Sequence, residues 1–157
     1  MSTRGREWSG GGSKMQVKDI LSKKGREVTT IAHVALVADG VRLLRDRGVG
    51  ALVVTDQSGS LAGIISERDV VRVLGERGAT ALDMSIADVM STAVTTCVEA
   101  TTIDSLMSLM TERRIRHVPV MDDGTLVGMI SIGDVVKWRV DELENDKRDL
   151  IEYVTAR

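Results

Sequence analysis

The alternation of apolar and polar positions divides the chain into two passes through the same elements. Short apolar, β-branched runs predict strands at 28–31, 49–54 and 61–65, and again at 94–97, 115–120 and 126–130. Apolar spacings of three and four predict helices at 36–46 and 103–112, and two more that begin near Asp69 and Asp134. A short segment precedes each pass, at 17–21 and 86–90. The order β-α-β-β-α, present twice, predicts an α+β fold.

A nine-residue motif carries the repeat most clearly. The segment 63–71 returns at 128–136, 65 positions later, and six of the nine residues are identical. Internal repeats of this kind indicate two copies of one supersecondary unit. We therefore expect a first repeat at 15–82, a second at 83–140 and a C-terminal helical extension at 141–157. Residues 1–14 are polar and glycine-rich, and we expect them to form a flexible tail.

The C-terminal extension carries a heptad-like stripe with one interruption. Its apolar positions recur at alternating spacings of four and three, which is typical of a helix that packs against another helix. Lys147 interrupts the stripe, and fewer than three heptads are present. Two interpretations stay open: the helix packs on its own domain, or it forms a contact in a homodimer. The members of the stripe are Val136, Val140, Leu143, Lys147, Leu150 and Val154.

Composition excludes several classes of function. The net charge of −2 and the presence of only three aromatic residues argue against nucleic acid as a partner, because such binding needs a basic surface and stacking platforms. No apolar run reaches the length needed to span a bilayer, so we expect no membrane partner. Cys97 is the only cysteine, which makes a reducing, cytoplasmic setting the default.

The residues for metal binding or catalysis are also few. His33 and His117 are the only histidines, and together with Cys97 they do not supply a metal-ligand set. No grouping of nucleophile, base and orienting residue can be read from the chain. We therefore expect no metal and no enzymatic activity.

The repeated motif ends in a serine followed three residues later by an aspartate, Ser66 with Asp69 and Ser131 with Asp134. This spacing is the S-x-x-D form of a capping box, which stabilises a helix start by roughly 1 kcal/mol and requires no ligand. The same geometry suits a ribose phosphate. The helix N-terminus and the serine hydroxyl can bind phosphate, and the carboxylate can accept both ribose hydroxyls. The residues modestly favour the second interpretation.

Together these features resemble the cystathionine β-synthase (CBS) domain, and two in tandem resemble a Bateman module. The resemblance rests on the twofold β-α-β-β-α order ending in G-h-h-S-x-x-D-h and on the strand 116–120, and it covers residues 17–140. It implies two repeats packed through their sheets about a pseudo-two-fold axis, with two clefts for adenosine-containing ligands. It also implies that Asp69 and Asp134 hold ribose, that Ser66 and Ser131 lie near phosphate, and that Thr29 and Thr95 line the purine end.

The two repeats differ where charge would matter. The second has Arg116, His117 and Pro119 where the first has Gly50, Ala51 and an aliphatic residue, and the first has Arg68 where the second has a glycine. We expect one anion-binding region to collect these cations and the two sites to differ in affinity. Because no pair of aromatic residues is available for stacking before Trp138, we expect the purine to lie between aliphatic side chains and backbone amides. The candidates for that slot are Val49, Gly50, Ala51, Met90 and Ile115.

The resulting expectation is a stand-alone regulatory CBS pair. It would bind AMP, ADP, ATP or a dinucleotide such as NADH between its repeats and signal through changed packing or through an unidentified protein partner. By the same resemblance it would form a homodimer. The alternatives are a ligand-free interaction protein, in which capping explains the motif, and a sensor of S-adenosylmethionine.

Overall fold

The computed structural model describes residues 15–156, and it contains two successive α/β units followed by a long helix. Residues 1–14, predicted to be a flexible tail, lie outside the described residues, as does Arg157. The helices are α1 (Val17–Lys24), α2 (Val37–Arg47), α3 (Glu67–Arg77), α4 (Ile86–Val89), α5 (Ile103–Arg113) and α6 (Ile132–Thr155), with a 3-10 helix at Gly78–Asp83. The strands are β1 (Thr30–Ala32), β2 (Ala51–Thr55), β3 (Leu61–Ser66), β4 (His117–Asp122) and β5 (Thr125–Ser131).

The first unit forms a three-stranded sheet in the order β1-β2-β3. β1 pairs with β2 in parallel and β2 pairs with β3 antiparallel. The second unit has only the antiparallel pair β4-β5. Each hairpin is followed directly by a helix, so both copies of the repeated motif run from the last strand into the helix N-terminus. The predicted α+β order is confirmed.

The strand predicted at 94–97 is wrong except at its last residue. Cys97 alone pairs in the sheet: its N–H donates to the carbonyl of Pro119 at 3.0 Å, and its carbonyl accepts from Met121 at 2.9 Å. The preceding chain is held elsewhere, because Ser91 and Ile64 exchange two backbone hydrogen bonds of 2.9 and 3.0 Å. This anchor to β3 brings segment 91–95 to the first unit and away from an extended strand.

The hydrophobic core consists of two clusters whose members cross the repeat boundary. Helix α1 opens the first repeat, yet Val17, Ile20 and Leu21 are buried with the residues of β4, β5 and α5. Helix α4 opens the second repeat, yet Ile86 and Val89 are buried with those of β2, β3 and α3. Each unit therefore takes its covering helix from the segment before the other unit.

In both units, the glycine that opens the repeated motif lies against a closely packed neighbour. A Cβ at Gly63 would lie 2.7 Å from both the Met90 sulfur and the Ser91 carbonyl oxygen. A Cβ at Gly128 would lie 2.7 Å from a terminal methyl carbon of Leu21. A Cβ at Gly63 would therefore clash with backbone, and a Cβ at Gly128 would displace the buried Leu21 side chain of α1.

Helix α6 leaves the body of the protein soon after it begins. Val135 is buried in the second core, and Arg139 contacts Asp104 of α5 at 2.5 Å. From residue 143 to residue 156 every side chain is exposed. The first part of the helix thus packs on its own domain, and the side chains of the rest are exposed. Among the described residues, no helix is long and apolar enough to cross a bilayer.

Candidate ligand-binding cleft

A cavity of about 250 Å³ lies where the N-terminus of α3 faces the second unit. The first unit supplies the end of β3 and the first turn of α3, and the second supplies segment 91–95 and the residues that lead into β4. Eight of the residues proposed from the sequence line this cavity. They are Gly50, Ser66, Arg68, Asp69, Thr95, Ile115, Arg116 and His117.

Sequence reasoning missed the other lining residues, which are Ile64, Glu67, Ser91, Ala93, Val94 and Arg114. Glu67 and Arg114 carry charge. Arg114 lies two positions before Arg116, and this neighbouring basic residue was the one available signal. Segment 91–94 gave none, because its place in the cleft depends on the bond to β3.

Ser66 and Asp69 form a complete capping box at the floor of the cleft. The Asp69 Oδ2 atom accepts from the Ser66 N–H at 2.9 Å and from the Ser66 hydroxyl at 2.9 Å, and the Asp69 N–H donates back to that hydroxyl at 3.3 Å. Among the described residues, the Oδ1 atom contacts Arg72 at 3.5 Å. One carboxylate oxygen therefore caps the helix, and the other has acceptor capacity for a hydroxyl group.

An aspartate at this helical position is not specific to the cleft. Asp19 accepts from the N–H of Gln16 at the start of α1, and Asp39 accepts from the N–H of Leu36 at the start of α2. Capping therefore explains the aspartate at four helix starts, including α3 and α6. What distinguishes Asp69 is its place in a cavity with cationic neighbours.

Three arginines from both units surround the cavity. Arg68 comes from the first turn of α3, and Arg114 and Arg116 lead into β4. Arg114 has a left-handed backbone with φ 53, a conformation that residues other than glycine rarely adopt. The position 66 residues earlier is Gly48, with φ 63. The second unit thus keeps an arginine at the cleft where the first has the conformationally favoured glycine.

His117 lies between the two units as a neutral group. A Cβ at Gly50 would come within 3.2 Å of its imidazole ring. Burial lowers the pKa of His117 below its ordinary value. The charges of Glu67 and Asp134 raise it, and those of Lys24 and Arg116 lower it again. The imidazole is therefore uncharged near neutral pH, so the positive charge of the cleft comes from the arginines.

The second motif carries the same capping box in a different environment. The Asp134 Oδ2 atom accepts from the Ser131 N–H at 2.8 Å, and it also pairs with the Lys24 ammonium at 2.6 Å. Burial alone would raise the pKa of Asp134, but the hydrogen bonds from Lys24 and Ser131 and the charge of Lys24 hold it below its ordinary value. Lys24 is the last residue of α1, so the helix that crosses from the first unit supplies the cation that pairs with Asp134.

The surroundings of the second site are also less suited to an anion. A cavity of about 100 Å³ adjoins Asp134, and Trp138 and Asp141 line it with three lysines. Lys23 pairs with Asp141 at 3.3 Å and lies 5.6 Å from the centre of the Trp138 ring. Two of the three lysines are thus paired with carboxylates of the protein, and Ser131 does not line the cavity.

Five further predicted residues do not line the main cavity. Val49 and Met90 pack against the first core. Ala51 and Pro119 are buried in β2 and β4. The Thr29 carbonyl accepts from the Val53 N–H at 3.1 Å. These positions therefore serve the sheets and their packing in the structure, whereas Gly50 and Ile115 reach the cavity.

The groups considered as metal ligands are separated. His33 Nδ1 lies 3.2 Å from the Thr55 carbonyl oxygen, and Cys97 is buried in the second core. Burial raises the pKa of the Cys97 thiol to about 11. Within residues 15–156 no group of three or more His, Cys, Asp or Glu side chains is arranged to hold a metal ion.

Two similar units that exchange their covering helices and enclose a cleft define a tandem-repeat domain, and comparison identifies its family. The CBS domain family matches residues 17–76 and 86–141, so the chain belongs to the CBS domain family. A CBS-domain-containing protein from Agrobacterium tumefaciens is 43% identical, and its crystal structure superposes with a TM-score of 0.79 over 82% of this chain and 96% of that one.

Two other proteins are also similar to this chain. The mitochondrial CBS domain-containing protein CBSX3 of Arabidopsis thaliana is 38% identical over 122 residues, which is 75% of this chain but only 59% of the relative. The CBS domain pair of protein MJ0100 was solved in complex with 5′-methylthioadenosine and S-adenosyl-L-methionine. It is 26% identical, with a TM-score of 0.71 over 82% of this chain and 98% of that one. The chain therefore contains a CBS-pair regulatory module.

Proposed function

We propose that this CBS pair senses an adenosine nucleotide in the cleft around Asp69, with AMP the best fit. The observation that carries the proposal is the cavity itself. It unites the N-terminus of α3, an aspartate oxygen with acceptor capacity and three arginines contributed by both units. A helix N-terminus with nearby arginines is suited to phosphate, and a carboxylate beside it is suited to ribose.

The charge of the cleft favours a phosphate over a sulfonium. Arg68, Arg114 and Arg116 outnumber the acidic residues Glu67 and Asp69 around the cavity. S-adenosylmethionine carries a positive sulfonium, which these arginines would repel, so it is the less favoured ligand. The volume of about 250 Å³ is near the lower end of ligand pockets, roughly 300–1,000 Å³. This size favours a mononucleotide over NADH, and AMP over ADP and ATP.

The purine end of the cleft is aliphatic. Ile64, Val94 and Ile115 line the cavity together with Thr95, and no phenylalanine, tyrosine or tryptophan is among the lining residues. A purine held there would therefore lie between branched aliphatic groups and backbone amides. This favours recognition by shape and hydrogen bonding over recognition by stacking.

A ligand in this cleft contacts both units and therefore can couple them. Phosphate would engage Arg68 on one unit and Arg114 and Arg116 on the other, while ribose would engage Asp69. Such a ligand shifts the packing of the two units only as far as it binds one arrangement more tightly than another. We propose that this shift is what a homodimer partner or another protein detects, without chemistry at the cleft.

The test uses calorimetry of the full chain with AMP, ADP, ATP, NADH and S-adenosylmethionine. We expect AMP to bind and D69N to weaken it at least tenfold, because the variant loses the ribose-binding carboxylate but keeps an oxygen for capping. The matched control is D39N. Asp39 caps α2 with one oxygen and contacts Arg42 at 3.0 Å with the other, as Asp69 does with Arg72, but it does not line the cavity.

The outcomes separate the alternatives. Equal loss of binding in D69N and D39N would assign the effect to capping and contradict a ribose contact. No heat with any of the five ligands would favour the interaction protein whose motif serves capping alone. Tighter binding of S-adenosylmethionine than of AMP would overturn the argument from the charge of the cleft.

A further inference from the structure

Among the residues that line the main cavity, His117 is the one whose residue type changes its charge between about pH 5 and pH 8. The charged residues around it are three arginines and two carboxylates, which leaves one net positive charge. A phosphate monoester brings about 1.5–2 negative charges at pH 7. An anion of this kind therefore reverses the charge of the cleft, and a proton on His117 would restore the balance.

The imidazole of His117 lies at the boundary between the two units. His117 is the first residue of β4, and Ala51 is the corresponding first residue of β2. The ring lies in space that Gly50 leaves open, since a Cβ there would come within 3.2 Å of it. The carboxyl carbon of Glu67 lies 3.9 Å from the same Cβ position. An imidazole of the second unit and a carboxylate of the first therefore flank one point, where a proton would create opposite charges across the boundary.

We propose that His117 takes up a proton when an anion enters the cleft, so that the module responds jointly to its ligand and to pH. An imidazolium would attract the anion and would also pair with Glu67, whose carboxylate otherwise repels it. Because the complex then binds the proton more tightly than the free protein does, affinity for the anion rises as the pH falls. Since the anion in question is the phosphate of the proposed nucleotide, this coupling rests on the proposed function.

The charges that face the ring come from every element around it. Burial lowers the pKa of His117 in the free protein. Glu67 of α3 and Asp134 of α6 act against this effect, whereas Lys24 of α1 and Arg116 add to it. Asp134 is already paired with Lys24 at 2.6 Å, so Glu67 is the carboxylate that the cleft wall offers to an imidazolium. The other charged residues that line the cavity are Arg68, Asp69 and Arg114.

Histidine NMR of the full chain tests the proton uptake directly, because His33 and His117 are the only histidines. The ring signals are assigned with H33Q and H117Q and followed between about pH 8 and pH 5 in sodium chloride, sodium sulfate or AMP. Sulfate does not titrate in this range, so any proton taken up with it belongs to the protein. We expect sulfate and AMP to raise the pH at which His117 titrates and to leave His33, which does not line the cavity, unchanged.

The variant E67Q tests the partner of the imidazolium without any ligand. It should lower the pH at which His117 titrates in sodium chloride, since a stabilising carboxylate is lost. A His117 titration that neither anion moves, or that E67Q leaves in place, would overturn the proposal. Movement with sulfate but not with AMP would contradict the proposed nucleotide and support the proton uptake, so the two failures are distinguishable.

Calorimetry then measures the effect of the proton on affinity. The ratio of wild-type to H117Q affinity for AMP cancels the titration of the phosphate itself, because both proteins bind the same ligand. We expect this ratio to rise about threefold from about pH 8 to about pH 6. The matched control is H33Q, which should keep the wild-type pH dependence. A constant ratio would mean that His117 contacts the ligand without taking up a proton, and it would contradict the coupling.

Discussion

At the scale of single residues, the two repeats have diverged where backbone strain and charge meet. Arg114 and Gly48 end corresponding helices, α5 and α2, in the same left-handed conformation. Glycine adopts this conformation without steric cost, whereas a residue with a Cβ destabilises the folded state by about 1–2 kcal/mol. Such strain is often retained at functional sites, and here the arginine lines the cleft.

The variant R114G separates these two effects. We expect it to increase the free energy of unfolding by about 0.5–1 kcal/mol, since glycine relieves the strain. We also expect AMP affinity to fall about tenfold, equivalent to about 1.4 kcal/mol, through loss of one phosphate contact. Urea unfolding and calorimetry on the same sample measure both. A variant that is less stable than the wild type would contradict the argument from strain.

At the scale of elements, α1 and α4 show how the two units depend on one another. Leu21 of α1 has no exposed surface and lies directly on Gly128 of β5. Ile86 of α4 is equally buried and lies 3.0 Å from the Cβ position of Gly40 on α2. Each short helix packs into the core of the unit that does not directly follow it in the chain. Neither unit therefore has a full core without the helix at the start of the other.

Truncation of these two side chains tests the exchange. We expect L21A and I86A each to cost about 2–5 kcal/mol, the usual range for large-to-alanine changes in a core. Hydrogen exchange followed by mass spectrometry should locate the effects. L21A should raise exchange first in β4 and β5, and I86A should raise it first in β2 and β3. Each variant is the control for the other, and the reverse distribution would contradict the exchanged arrangement.

At the scale of the whole molecule, two similar scaffolds carry two unequal sites. Around Asp69 the cations belong to the cleft wall, whereas Asp134 is paired with Lys24 of α1. The counterparts of Arg114 and Arg116 in the first repeat are the glycines 48 and 50, which offer no charge. The second site thus has its carboxylate paired within the protein and lacks the arginines that line the first.

The inequality predicts one nucleotide per chain. Calorimetry should give a stoichiometry near one for the wild type, and D134N should bind AMP within about twofold of wild-type affinity, because Asp134 does not contribute to the filled cleft. Because Asp134 pairs with Lys24, we expect D134N to change the free energy of unfolding more than it changes the free energy of AMP binding. A stoichiometry of two, or loss of binding in D134N, would show that the second cleft opens to ligand.

The sequence by itself determined the repeat, the α+β order, the family and the residues of both capping boxes, because strands, helix starts and turns follow from local periodicity and short-range hydrogen bonds. It also placed Ser66, Arg68, Asp69, Thr95, Arg116 and His117 among the candidates that the fold brings to one cavity. The strand that it predicted at 94–97 was wrong except at Cys97, and the chain just before it is anchored to Ile64 through Ser91, a long-range contact that local β-propensity does not reveal.

Only the tertiary structure decided which cations meet which aspartate. The crossing of α1 to the second unit brings Lys24 within 2.6 Å of Asp134, although 110 residues separate them in the chain. The anchoring of Ser91 to Ile64 likewise brings Val94 and Thr95 to the cleft. The local sequence pattern does not predict such contacts, because they depend on how the two units pack against each other. That packing leaves the cleft around Asp69 open and pairs Asp134 with Lys24 in the other.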